Sequence, residues 1–226
     1  MVDYRKTTAI AAIAALSLLP LAACSSDDSG SEAGTSSNSS VTETTTPTPA
    51  AQIDELHGQS TAVALDTGFT DALTSLQLTP GVVGTATLDN GSISFPITAG
   101  AVKYYTPGTV DPYVQGDIKH DGSGLSLTSG DTTAELTNFD IDPGSSLLYG
   151  DVIVNGAPAA THATLFDLNG RTLKPLQDGP DDTAILQGTQ VLVSKDAAGL
   201  LNKTFHTDAV APGLLVGIAT ITLDKK

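Results

Sequence analysis

The strongest constraint on the fold is a run of short segments, from about residue 51 onward, in which apolar and polar residues alternate. Gly, Asn-Gly and Pro-Gly interrupt these segments at short intervals. An alternation with a period of two places the apolar side chains on one face of a β-strand, and the interrupting residues are those that form turns. Helical crossovers are missing between most of the segments, which favours antiparallel pairing. The sequence therefore predicts a mostly β domain, either an antiparallel sandwich or a barrel-like meander.

The tightest predicted hairpin is centred on Asn90-Gly91, which would join strands at residues 83–88 and 92–97. Both central residues of a type I′ turn need a positive φ, and Asn-Gly meets that need at low cost. The meander then continues through six more predicted strands, at residues 101–105, 116–120, 125–128, 134–141, 147–154 and 163–168.

Two short helices bracket the meander, each directly after an alternating strand. The segments at residues 61–76 and 189–204 match without a gap, and each carries a helix N-cap residue, Asp66 or Ser194, before an apolar helix face. A side-chain oxygen at that position accepts a hydrogen bond from an amide of the first helical turn. The segments therefore predict two strand–short helix–strand units related by an internal repeat.

If the two units are equivalent, they should dock side by side, because an isolated unit of this size cannot bury its own apolar face. Their helices should then lie at the same end of the sheet. Val63 and Val191 should occupy equivalent inward positions, and Gly84 and Gly217 should lie at equivalent bends.

The N-terminus carries the pattern of a bacterial export signal. Arg5 and Lys6 precede an apolar run at residues 9–21, which is too short for a membrane span of about 20 residues. The run ends at Leu21-Ala22-Ala23-Cys24, whose Cys24 is the single cysteine of the chain. This order of features resembles that of bacterial lipoproteins, including actinobacterial ones, in which the cysteine is diacylated. The resemblance implies lipidation at Cys24, and two acyl chains hold a protein stably at a membrane.

The chain is accordingly divided into three parts. Residues 1–23 form the predicted signal peptide, and residues 24–50 carry the lipidated cysteine and a Ser/Thr/Pro-rich linker that is expected to be disordered. Residues 51–226 form the β-rich domain. Fourteen of the 25 residues from 25 to 49 are Ser or Thr, so the linker cannot bury a core. The predicted location is the outer face of the cytoplasmic membrane, or the cell envelope, with the lipid anchor as the contact to the membrane.

Charge and motif content exclude several function classes. The formal net charge is −15 with only ten Lys and Arg residues, which argues against a nucleic-acid partner. No nucleophile elbow, zinc-protease motif or phosphate-binding loop occurs, and the four histidines show no metal-ligand spacing. The sequence thus predicts no enzyme activity, no metal site and no resident cofactor. It leaves open a cell-wall glycan, a lipid or a small molecule as the ligand.

The densest aromatic neighbourhood contains Tyr104, Tyr105 and Tyr113, and His120 follows on the next predicted strand. Together with the segments at residues 116–125, 136–139 and 148–152, this neighbourhood resembles the β-rich haem-uptake domains of corynebacterial surface proteins, the HtaA type. That resemblance implies haem binding through a tyrosine backed by a histidine. The chain lacks the Trp and the Ser-Phe-x-x-Tyr opening of that family, so the iron-binding tyrosine cannot be transferred to a particular position. The four residues are therefore candidates for cofactor binding as a group.

The sequence supports a membrane-anchored extracytoplasmic lipoprotein that acts as a non-enzymatic envelope or ligand-binding module. Haem binding and uptake at the surface is the alternative.

Overall fold

The computed structural model describes residues 47–56 and 58–225. The predicted signal peptide, Cys24, nearly all of the predicted linker and His57 lie outside these residues. No helix within the described ranges is long and apolar enough to cross a membrane.

The fold is mostly β, as predicted, and is a single curled antiparallel sheet with the shape of a half-barrel. The strands are β1 Ala51–Ile53, β2 Ser60–Leu65, β3 Thr79–Gly84, β4 Thr87–Asp89, β5 Ser92–Pro96, β6 Ala99–Tyr104, β7 Val114–Ser129, β8 Thr132–Asp142, β9 Leu147–Val154, β10 Ala157–Asn169, β11 Gln177–Asp178, β12 Thr183–Val193 and β13 Leu215–Asp224. Neighbouring strands follow the order β1-β6-β7-β8-β9-β10-β12-β13-β2-β5-β4, with β3 paired to β7 and β11 paired to β12. The helices are α1 Thr67–Ser75 and α2 Lys195–Phe205, and short 3-10 turns span Gly170–Thr172 and Pro180–Asp182.

The hairpin at Asn90-Gly91 forms as predicted, with φ of 48° and 76° at its two central residues. The strand that leads into it differs from the prediction of one strand at residues 83–88. The chain leaves β3 at Gly84, where φ is +60°, and resumes as β4 at Thr87. A Cβ atom at Gly84 would lie 1.9 Å from the carbonyl oxygen of Gly122, so this close approach requires glycine.

The strands predicted at residues 116–120 and 125–128 are one long strand, β7, that carries a bulge. The register against β8 shifts between His120 and Gly124. The two halves of β7 also use different partners on their other edge, β6 for the first half and β3 for the second. A bulge bends a strand and increases its twist, which suits a strand that must follow the curl of the sheet.

The two strand–helix units dock side by side, as the repeat predicts. Strands β2 and β12 both run antiparallel to β13 and flank it, so they point in the same direction. Leu65 at the end of β2 and Val191 near the end of β12 are both paired with Gly217. The two helices therefore follow their strands at the same end of the sheet, and Val63 and Val191 are both buried.

The equivalence does not extend to the second strand of each unit. In the second unit, β13 pairs with its own first strand, β12, whereas in the first unit β3 leaves β2 and pairs with β7. The connections explain the difference: three residues separate α1 from β3, and nine separate α2 from β13. Only the longer connection lets the chain return alongside its starting strand. The prediction of equivalent bends at Gly84 and Gly217 is therefore wrong, because Gly84 ends a strand and Gly217 lies inside one.

Both predicted N-caps are present, and they differ in how many bonds each side chain makes. Asp66 accepts a hydrogen bond from the Gly68 amide at 2.8 Å on an exposed surface. Ser194 is buried, accepts from the Ala197 amide at 3.0 Å and donates its own hydroxyl to the Thr164 carbonyl at 2.6 Å. The second cap therefore also ties α2 to β10.

We expect Asp66→Ala to lower the free energy of unfolding by about 1 kcal/mol, the usual cost of losing an N-cap. Ser194→Ala should cost about 2–3 kcal/mol, because it also leaves the partly buried Thr164 carbonyl without this donor. Urea unfolding of the two variants beside the wild type measures both values. Equal losses would show that the bond to Thr164 contributes nothing to stability.

Candidate functional site

A cavity lies at the end of the curled sheet opposite the two helices. Its volume is about 240 Å³, and we call it the mouth cavity. Strands β6 and β7 form one side, β12 and β13 form the other, and β1 lies along the edge. Val102, Ile118 and Leu186 are typical of the lining, which is predominantly apolar.

Tyr104 and Tyr113, two of the predicted site residues, meet at this cavity. Tyr104 is the last residue of β6, and Tyr113 immediately precedes β7, so the β6–β7 pairing brings them together. Their rings are 6.0 Å apart between centroids and nearly perpendicular, at 88°. Burial raises the pKa of the Tyr113 hydroxyl, and the neighbouring Tyr104 raises it further. Tyr113 is therefore a neutral phenol at neutral pH in the ligand-free protein.

Tyr105 is joined to the same place through its backbone and not through its ring. Its amide donates to the Tyr113 carbonyl at 2.7 Å, which holds the start and end of the β6–β7 loop together. Its side chain is not among those that line the mouth cavity. Tyr105 thus offers a natural control for tests of its two neighbours.

His120 lies in a different place from the tyrosines. Its side chain is buried and lines a second, smaller cavity of about 50 Å³, which we call the inner cavity. The ring Nε2 is 2.9 Å from the Thr61 hydroxyl, and Nδ1 is 3.4 Å from the Phe139 carbonyl. Because a carbonyl can only accept, Nδ1 carries the proton and Nε2 accepts from Thr61.

The surroundings of His120 favour the uncharged ring. Burial lowers its pKa to about 4, although the Phe139 carbonyl and the charge of Asp121 act in the opposite direction. Its hydrogen bonds go to Thr61 and Phe139 and not to a tyrosine. The structure therefore brings Tyr104 and Tyr113 together but does not place His120 behind either of them.

Several residues of the mouth cavity carry no signal in the sequence. The three-residue strand β1 contributes Ala51, Gln52 and Ile53, and the loop after β10 contributes Leu173 and Leu176. Strands this short and isolated leucines in loops have no periodicity that would mark them.

Charged groups are sparse at this site. Within the described chain, Asp111 is the only ionisable acid or base among the lining residues apart from the two tyrosines. No group of three or more His, Cys, Asp or Glu residues that could hold a metal ion occurs in residues 47–56 and 58–225.

Comparisons with known proteins give a likeness of fold. No family model and no curated protein matches the chain. The crystal structure of the C-terminal domain of HtaA from Corynebacterium glutamicum matches at a TM-score of 0.50 and 16% identity, covering 76% of this chain and 97% of that one. The heme binding protein HtaB of the same organism follows at a TM-score of 0.48 and 10% identity, covering 78% of this chain and 96% of that one. The described fold is therefore similar to that of the HtaA domain.

Proposed function

We propose that this chain is a non-enzymatic, extracytoplasmic binding module that carries haem in its mouth cavity. The observation that supports the proposal is the pair Tyr104 and Tyr113 at the wall of an open, apolar cavity of about 240 Å³. The resemblance of the aromatic segment to HtaA-type domains and the similar fold agree with it.

The residues fit part of such a ligand. A tetrapyrrole is flat and apolar, which suits the aliphatic walls, and a phenol oxygen is a hard donor that Fe(III) accepts. Ligand pockets usually measure about 300–1,000 Å³, so a cavity of about 240 Å³ would enclose only one side of the ring. Since no Lys or Arg of the described residues lines the cavity, the haem carboxylates should stay in solvent.

A hemin titration tests the proposal. We expect hemin binding, monitored by the Soret band, to saturate at one equivalent. Tyr104→Phe or Tyr113→Phe, whichever removes the iron ligand, should weaken binding at least about tenfold, or about 1.4 kcal/mol. The double variant should lose the tyrosinate-to-iron absorption band.

Tyr105→Phe is the matched control, because it removes the hydroxyl of the adjacent residue outside the cavity. His120→Gln should leave the titration unchanged, since the imidazole bonds to Thr61 and not to a tyrosine. An unchanged affinity in the Tyr104/Tyr113 double variant would contradict the proposed site. A failure to saturate with hemin in the wild type would exclude the ligand.

The location of the module is a separate proposal, based on the sequence Leu21-Ala22-Ala23-Cys24. Cys24→Ser should move the protein out of the membrane fraction, because the two acyl chains that hold it would be missing. Cell fractionation measures this, with mass spectrometry to separate unprocessed precursor from mature protein. Mature Cys24→Ser protein that remained in the membrane fraction would contradict lipid anchoring.

A further inference from the structure

The mouth and inner cavities are neighbours that share part of their walls. Four residues line both of them: Ile141, Leu168, Thr189 and Ile221. The two spaces are therefore adjacent, with these four side chains at their common boundary. A movement of these side chains would join the spaces.

The joined space would be long and narrow. Along β12, Ala184 lines the mouth cavity and Val191 lines the inner cavity, seven residues farther on. At about 3.3 Å per residue the two ends lie at most about 23 Å apart, since β12 carries a bulge between Gln187 and Thr189. The inner part, at about 50 Å³ against about 240 Å³ for the mouth, admits only a slender group.

The lining of the inner cavity favours a hydrocarbon group as its ligand. Its walls are mainly aliphatic and aromatic, with Phe95, Phe139 and Phe166 among them. Among its polar lining residues, Thr189 also lines the mouth cavity, and the other two, Thr61 and His120, hydrogen-bond to each other at 2.9 Å. A polar ligand group would have to break that bond, whereas a methylene chain would leave it intact.

The charged residues at the mouth cavity determine which charge the polar head of the ligand can carry. Asp111 is the only carboxylate of the described residues that lines either cavity, and no Lys or Arg of those residues lines one. The chain as a whole has a formal net charge of −15. A carboxylate or phosphate head at the mouth would be repelled, whereas an uncharged or cationic head would not.

We propose that the two cavities form one channel that binds a single unbranched alkyl chain, with an uncharged or cationic head at Asp111, Tyr104 and Tyr113. The proposal deepens the proposed function, since it rests on the mouth cavity being a ligand site. It adds a second class of ligand, a single-chain amphiphile, whose tail occupies the inner cavity.

The test is calorimetric titration of the purified protein with linear 1-alkanols of about eight to about eighteen carbons, kept below their aggregation limits. Each added methylene should raise the affinity about fourfold, which corresponds to about 0.8 kcal/mol, until the inner cavity is full. Beyond that length the affinity should level off. The fatty acid of equal length should bind at least about tenfold more weakly than the alkanol, and the alkylammonium ion should not. A parallel titration with a monoacylglycerol tests whether the alkyl chain can come from a lipid as well as from a free amphiphile.

Ala219 lines the inner cavity and does not line the mouth cavity, so Ala219→Leu narrows the inner cavity. It should make the affinity level off at a shorter chain. Ala64→Leu, on the exposed face of the adjacent strand β2, is the matched control and should leave the series unchanged. If Ala219→Leu fails to fold by thermal unfolding, Val191→Phe blocks the same space.

An affinity independent of chain length, or an unchanged series in the variant with a filled inner cavity, would overturn the channel. Hemin titration of Ala219→Leu separates the two proposals, because haem uses only the mouth. Both proposals are supported if Ala219→Leu still binds hemin but no longer gains affinity from the longer alkyl chains. Alkanol binding without hemin binding would overturn the proposed haem function and leave the channel standing.

Discussion

Phe139→Ala is expected to lower the free energy of unfolding by about 3–5 kcal/mol, the usual cost of deleting a large aromatic side chain from a core. The Phe139 side chain is 3% exposed. Its ring lies 5.1 Å from that of Phe95 and 6.2 Å from that of Phe166, in edge-to-face arrangements. It therefore links β5, β8 and β10 across the inside of the curl.

The measurement is urea unfolding at neutral pH. Leu88→Ala is the control, because Leu88 is 44% exposed on the edge strand β4 and its loss should change stability by no more than about 0.5 kcal/mol. A loss below about 1 kcal/mol for Phe139→Ala would contradict a core that closes inside one curled sheet.

Acidification from pH 6.5 to pH 4 is expected to remove about 3 kcal/mol of stability through His120 alone. Burial lowers the pKa of His120 from 6.5 to about 4 in the folded protein, and one pKa unit corresponds to about 1.4 kcal/mol. Between these values the unfolded chain binds more protons than the folded one. The free energy of unfolding therefore rises with pH across this window and is constant above it, as far as His120 is concerned.

Unfolding curves at several pH values test this, with His120→Gln as the comparison. The variant keeps a hydrogen-bonding side chain that cannot be charged, so the rise between pH 4 and pH 6.5 should be smaller by about 3 kcal/mol. An NMR titration of the ring protons measures the same quantity directly. A His120 ring that titrates near 6.5 would contradict its placement in the inner cavity.

Two carboxylates affect the free energy of unfolding at a lower pH than His120 does. Burial raises the pKa of Asp142, but its hydrogen bonds from Ser145 and Gly144 outweigh that effect and bring the pKa below its usual value. The pKa of Asp151 is lowered by its hydrogen bonds from Asn138 and the His162 amide. The stability that these two groups supply is present above pH 4 and is lost only as the pH falls further. Their window meets that of His120 near pH 4, and the comparison with His120→Gln separates the two contributions.

The local features of the fold could be predicted from the sequence. Asn90-Gly91 has a conformational preference of its own, and Asp66 and Ser194 act on amides two or three residues away. The repeat also predicted that the helices lie at the same end, because each unit has an apolar face that must be covered.

The features that depend on distant pairing could not be predicted. The route of β3 to β7 follows from a three-residue connection after α1, and the length of β7 depends on tolerance of a bulge between His120 and Gly124. Neither leaves a periodic pattern in the sequence. The same reason applies to β1, which has only three residues.

The candidate site was predicted in part. Tyr104 and Tyr113 are nine residues apart, so a strand and the next strand could bring them together, and they do meet at the mouth cavity. His120 follows them in the chain but faces Thr61, which is 59 residues away and was not a candidate. Proximity in sequence therefore indicated that the two tyrosines would lie close together, but it did not indicate where the His120 ring would lie. The role of all four residues in binding stays a prediction.

Haem binding in the mouth cavity is tested most directly by a crystal structure of the hemin complex with anomalous data collected at the iron edge. We expect one iron peak in the mouth cavity, within coordination distance of the hydroxyl oxygen of Tyr104 or Tyr113. A peak beside the stacked rings of the half-buried Tyr149 and the exposed His162, which are 4.6 Å apart, would contradict this site. So would a peak in the inner cavity at His120.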